Sequence, residues 1–140
     1  MKILVAADGS RYTKRMLAYL AAHDEWLGAQ HAYTVITVVP SLPARAAAVL
    51  PKDVLSAHYA EEAEKVLKPV RTFLARQGLG VEYLVKTGAA AETIAATASK
   101  GKYDMLVMGS HGHGSLGSLV LGSVASKVLA QCTTPVLLVR

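Results

Sequence analysis

The chain has one cysteine, one phenylalanine and one tryptophan in 140 residues. A single thiol, Cys132, rules out a disulfide framework and points to a reducing compartment. Its simplest role is a small residue packed before the last strand. So few large aromatics leave little surface for stacking bases. Lysines and arginines are scattered without a block of one sign, so the net charge of +5 does not describe a nucleic-acid-binding face. No apolar run is long enough to cross a bilayer. The N-terminus meets Asp8 before a secretory leader could be completed. A soluble cytoplasmic protein is expected, with neither a membrane nor a nucleic-acid partner.

What is present is apolar: 52% of residues are hydrophobic and only 18% are charged. At this length one domain, residues 1–140, can bury a sizeable core. Short continuous apolar runs read as buried strands: Ile3–Ala7, Tyr33–Val39, Val81–Val85, Met105–Met108 and Val136–Val139. Helical patterns separate them. Ser10 caps a first helix that carries Met16, Leu17, Leu20 and Leu27 and stops at Gly28. Residues 41–52, flanked by prolines, read as a long loop with at most a helical turn. Asp53 caps a long helix with Leu55, Tyr59, Ala63, Val66, Val70 and Phe73 on one stripe. Pro69 predicts a kink or break in it. Ala91, Ile94, Ala95 and Ala98 mark an alanine-rich helix. Val120, Val124 and Val128 mark the last one, expected from Leu119 to Ala130. Strand–helix alternation of this kind predicts an α/β fold, a doubly wound parallel sheet covered on both faces in three layers.

Chemistry is concentrated after the fourth strand, in Gly109-Ser110-His111-Gly112 and, nine residues on, Gly122-Ser123. Glycines between a strand and a helix let main chain approach a ligand and take up positive φ. The helix start adds unpaired N–H groups and the positive end of a dipole. A nucleotide or another phosphorylated ligand is therefore expected. Ligands in such sheets sit beyond the carboxyl ends of the strands where strand order reverses. Asp8 and Gly109 share one crevice if the first and fourth strands are neighbours.

Competing motifs fit less well. Gly109 and Gly114 have Walker spacing, but Ser115 stands where the lysine should be. Gly112 to Gly117 spells GxGxxG, yet no carboxylate follows at the end of the next strand. His113 takes the place of the first glycine in a GxSxG elbow. His111 and His113 have no cysteine or carboxylate pair beside them, so loop residues near phosphate are favoured over metal ligands. Asp8 has two open readings, an acceptor for turn N–H groups or a contact to ribose or Mg²⁺. Asp104 is expected at the start of the fourth strand, away from the crevice.

The pattern Gly109-x-x-Gly112, nine residues, Gly122-Ser123 resembles the signature of ATP-binding universal stress proteins. The likeness extends over the whole chain, through Ile3 to Ser10, Thr37-Val38-Val39, Gly88, Asp104 to Ser110 and Thr134 to Val139. It implies a five-stranded sheet of order 3-2-1-4-5, the adenine nucleotide alpha hydrolase-like arrangement. It also implies a homodimer paired through Val136–Val139. By matching position, Asp8 would contact ribose or adenine and Val38 the adenine edge, with Ala7 and Met108 nearby. Gly109 and Gly112 would admit the phosphates, and Gly122, Ser123 and Val124 would complete the cradle. The implied cofactor is ATP, or AMP or ADP, with Mg²⁺, in a stress-response regulator. Two alternatives are a slow ATPase or phosphotransferase and a dimeric interaction module without nucleotide. The signature offers no general base, arginine finger or phosphate lysine, so rapid phosphoryl transfer is not expected.

Overall fold

In the computed structural model, residues 1–114 and 120–140 are described. Five parallel strands form one sheet: β1 (Lys2–Ala6), β2 (Ala32–Val39), β3 (Val81–Thr87), β4 (Met105–Gly109) and β5 (Val136–Val139). Their order is β3-β2-β1-β4-β5, as the resemblance implied. β1 is central. Its Leu4 pairs with Thr34 of β2 on one side and Leu106 of β4 on the other.

Successive side chains on a strand point to opposite faces, and both faces here are covered. On one, Ile3, Val5, Val35 and Val107 pack with Met16, Leu17 and Leu20 of α1 (Arg11–Ala22) and Leu67, Val70 and Leu74 of α4 (Lys52–Arg76). On the other, Leu4, Ile36, Leu106 and Met108 meet Ala91, Ile94 and Ala98 of α5 (Ala90–Lys100) and Ala125 and Val128 of α6 (Ser123–Gln131). The alanines on α5 bring its backbone close to the sheet. Cys132, a free thiol, packs at the edge of this second core.

Several helix boundaries differ from the sequence reading. The first helix does not run on to Gly28. It ends at Ala22, and a single turn, α2 (Asp24–Leu27), follows. His23 explains the break: its ring Nδ1 engages the Tyr19 carbonyl at 2.9 Å, competing with the helical ladder. Within 41–52 a short helix forms, α3 (Ala44–Val49), with no buried residue. The long helix is capped at Pro51 rather than Asp53, and it runs unbroken through Pro69. Buried Leu67, Val70 and Leu74 flank that proline, and their packing outweighs the missing backbone donor. Leu67 and Leu74, outside the expected stripe, carry the contact with the sheet. α6 starts at Ser123 rather than Leu119; Val120 precedes it and is 74% exposed, and residues 115–119 lie outside the described residues.

Tyr33 of β2 is buried, and its hydroxyl donates to the carbonyls of Leu27 and of Gly28, the latter at 3.1 Å. This closes the C-terminal end of α2, where carbonyls lack helical partners. Burial holds the Tyr33 hydroxyl above its ordinary range. Because the folded value is raised, this contribution is complete below about pH 10, tyrosine's usual value, and is lost as pH climbs through the higher folded value. Tyr33→Phe is expected to cost about 1–2 kcal/mol near neutrality and to flatten the alkaline loss of stability in denaturant melts above about pH 10. Pro69 is exposed, so Pro69→Ala restores a helical donor without touching the core. Urea melts should show a gain of about 1–3 kcal/mol.

Candidate functional site

The order of the strands reverses between β1 and β4, and a cleft opens there beyond their carboxyl ends. Its enclosed part holds about 80 Å³, and the mouth opens to solvent. Its walls are largely apolar: Ala6, Ala7, Ile36, Val38, Met108 and Val124, with Ala90 and Ile94 from α5. Asp8, Thr13 and His111 supply the polar side chains, and Gly109 and Gly112 supply bare main chain.

The turn after β1 is built around one hydroxyl. Thr13, buried in the first turn of α1, accepts from the N–H groups of Asp8 at 3.1 Å and Gly9 at 3.2 Å. The same hydroxyl donates to Asp8 Oδ1 at 3.0 Å, and Oδ1 also accepts from Ser10 N–H at 2.8 Å. Ser10 in turn caps the helix through Tyr12 N–H. Gly9 has φ of +79°, a conformation that suits glycine. The turn-acceptor reading of Asp8 therefore holds for Oδ1, while Oδ2 faces the glycine loop. A Cβ placed on Gly112 would stand 2.7 Å from Oδ2.

The three signature glycines are not required by backbone sign. Positive φ occurs at Gly9, Gly78 and Gly88 among the described glycines, not at 109, 112 or 122. What they permit is protein meeting protein. A Cβ on Gly109 would lie 2.7 Å from Tyr12 Cβ, and one on Gly122 would lie 3.0 Å from His111 Cα and 3.1 Å from the Ser110 carbonyl. That corrects the expectation of left-handed glycines: close packing of the loop on α1 and on itself excludes side chains there.

Seven of the nine residues singled out from sequence line this cleft: Ala7, Asp8, Val38, Met108, Gly109, Gly112 and Val124. Gly122 and Ser123 do not. Gly122 is the N-cap of α6, its N–H donating to the Ser110 carbonyl at 2.8 Å, and Ser123 is the exposed first residue of that helix. The bond from Gly122 holds the chain in a loop and delays the helix to 123. Its opening turn still has N–H groups without helical partners, and Val124 in that turn lines the cleft.

The two histidines act separately. His111 Nδ1 lies 2.8 Å from Ser110 Oγ, and its ring sits 5.0 Å from that of Tyr12. His113 Nε2 lies 2.7 Å from the Asp8 carbonyl oxygen, tying the glycine loop to the β1 turn. No group of three potential metal ligands occurs among the described residues. Ser115, Leu116 and Gly117 of the alternative glycine motifs lie outside those residues. Asp104 stands at the opposite end of the sheet, accepting from Lys2 N–H at 2.6 Å, as expected. Sequence reading missed Thr13, whose signal is its position three residues beyond the helix cap, and Ala90 and Ile94, which only the fold brings to the cleft.

The model of the universal stress protein family matches residues 1–140. A Thermus aquaticus relative, "Universal stress protein in QAH/OAS sulfhydrylase 3'region", is 37% identical over 99% of this chain and 97% of its own. The solved structure of MJ0577, a universal stress protein of Methanocaldococcus jannaschii, superposes with a TM-score of 0.83 at 27% identity, covering 99% of this chain and 94% of that one. The fold recurs in the universal stress protein of Archaeoglobus fulgidus in complex with dAMP (TM-score 0.69, 20% identity, 100% of this chain and 98% of that one). It recurs again in an Arabidopsis thaliana family member with AMP bound (TM-score 0.66, 18% identity, 99% and 90%). Matched from end to end by the family model and by a relative of the same length, the chain belongs to the universal stress protein family.

Proposed function

We propose that this chain is an ATP-binding universal stress protein that holds an adenine nucleotide at the β1–β4 cleft and acts as a homodimeric regulator in the cytoplasm. The observation that carries the reading is the convergence of Asp8, Gly109 and Gly112 on one apolar-walled cleft at the switch point. Nucleotide complexes of the same fold support it. Val38 and Ile36 offer apolar walls and strand-end main chain to the base. Asp8 would meet the ribose. The glycine loop and the start of α6 present main-chain N–H groups to phosphate. Mg²⁺ fits this arrangement, because such ions are commonly held by one carboxylate together with substrate phosphates, and Asp8 Oδ2 faces the loop. The ion would neutralise phosphate charge there. Among the described residues no lysine lines this cleft, and Lys65, which lines the adjoining hollow with Asp8 and Val38, is paired with Glu62; our reading is retention of nucleotide rather than rapid turnover.

Calorimetric titration of the chain with MgATP and MgAMP tests the reading. Binding is expected, and absence of both heat and thermal shift would sink it. Gly112→Ala forces a methyl group against Asp8 Oδ2 and should weaken binding about tenfold or more, while circular dichroism stays native. Asp8→Asn keeps an acceptor for the turn and should weaken binding while lowering stability by no more than about 1 kcal/mol.

β5 pairs with β4 along one edge, and its Val136, Leu137 and Leu138 are half-buried. An apolar edge of this kind is a template for a second strand, and we infer that a second copy pairs there. Sedimentation velocity at micromolar concentration should show a dimer, and Leu137→Lys a monomer. A monomeric wild-type chain would refute the pairing.

A further inference from the structure

The glycine signature contains no lysine or arginine, yet the fold brings two arginines to its flank. Arg11 and Arg15 lie one turn apart on α1, and both guanidinium groups sit over the ring of Tyr12, at 5.1 and 5.2 Å from its centroid. Arg11 also donates to the Tyr12 hydroxyl at 3.3 Å. Tyr12 is buried against Gly109, whose Cβ would strike it, and its ring stacks at a tilt on His111, which lines the cleft. The chain of contact runs from cleft to His111 to Tyr12 to the two arginines.

Nothing in the fold accounts for this arrangement. Neither arginine has a carboxylate within ion-pair distance among the described residues; the ion pairs there are Lys65–Glu62 and Arg71–Glu64. Like charges one turn apart on a helix repel. Cations at a helix N-terminus oppose its dipole, and the first turn of α1 holds Arg11 and Lys14 with no acidic residue. Three cations in the first five residues of a helix carry a local cost that the Tyr12 contacts of Arg11 and Arg15 offset only in part, a pattern that marks functional positions. Guanidinium planes resting on an aromatic ring are held in place with their N–H forks turned to solvent. Such forks match phosphate oxygens in bidentate fashion.

Resting on the nucleotide reading above, we propose that Arg11 and Arg15, positioned by Tyr12, recognise the phosphates beyond the first, so that the cleft prefers a nucleoside di- or triphosphate to a monophosphate. The strand order lays out the path. On that reading the base would lie by β2, the sugar by Asp8 after β1 and the first phosphate at the loop after β4, while α1 packs on β4 and β5. A lengthening phosphate tail continues toward the arginines.

The test is titration of AMP, ADP and ATP, each with Mg²⁺, into the full chain and into Arg11→Gln/Arg15→Gln. Wild type should bind ATP at least about tenfold more tightly than AMP. The double variant should keep AMP affinity within about twofold and lose most of the ATP advantage. The Arg11→Lys/Arg15→Lys variant should retain part of that advantage, since charge remains while the fork is lost. The salt dependence of ATP binding should be shallower in the glutamine variant than in wild type. Three results overturn the proposal while leaving the nucleotide reading intact: equal AMP and ATP affinity in wild type, an undiminished ATP preference in the glutamine variant, or equal loss of both nucleotides. Failure of wild type to bind any of the three removes the underlying reading and this proposal with it.

Discussion

The structure depends on how tightly the turn after β1 is folded against the loop after β4. A parallel sheet that reverses strand order at this point opens a gap by construction. Here the gap is narrowed by two close approaches, Tyr12 on Gly109 and Asp8 on Gly112. A methyl group at Gly109 would strike Tyr12 Cβ, and one at Gly112 would push the Asp8 carboxylate aside. The Asp8 turn is gathered by the Thr13 hydroxyl, which binds two main-chain N–H groups and a carboxylate oxygen. Each such bond is worth about 1 kcal/mol net. Left unmade in a part-buried turn, it would cost more. The consequence is a carboxylate with one oxygen fixed and the other turned to the loop, which is what a ligand-binding acid needs.

The two faces of the sheet divide the labour. On the α1/α4 face the core is filled by large side chains, Met16, Leu17, Leu20, Leu67 and Leu74. On the α5/α6 face it is filled by alanines and one isoleucine from α5. Small residues let α5 lie close, and its start at Ala90 leaves room at the mouth where Val38 and Met108 emerge. The cleft thus comes from residue volume as much as from topology: a leucine at 90 would occupy the space.

Much of this was legible in the sequence, and the limits follow from the physics. Strands buried on both faces appear as continuous apolar runs, and each observed strand lies within two residues of the run that predicted it. Asp8, Gly109 and Gly112 meet because β1 and β4 are neighbours, an order that the family resemblance implied and strand–helix alternation alone left open. What escaped reading was set by side chains acting outside periodicity. His23 ended a helix by bonding to a carbonyl one turn back. Gly122 delayed another through a main-chain bond to Ser110. Pro69, a strong local breaker, was overruled by flanking burial, and the α4 stripe shifted to include Leu67 and Leu74. The glycines were found as points of ligand approach, whereas the contacts around them are with neighbouring protein atoms.

That distinction bears on how the site came to be polarised. A loop whose glycines are required for packing must keep them whether or not a ligand binds, so their presence alone says little about chemistry. Charge placement is more informative, because packing does not demand it. α1 would gain about 0.3–1 kcal/mol from an acid in its first turn, and it carries Arg11 and Lys14 there. Asp8, the nearest carboxylate in the chain before them, spends one oxygen on the turn and leaves the other to the loop. Arg11 and Arg15 rest on Tyr12, and no ion pair joins them to Asp8 among the described residues. A scaffold built for stability alone would pair them. Left unpaired, both signs of charge stay available at this end of the sheet.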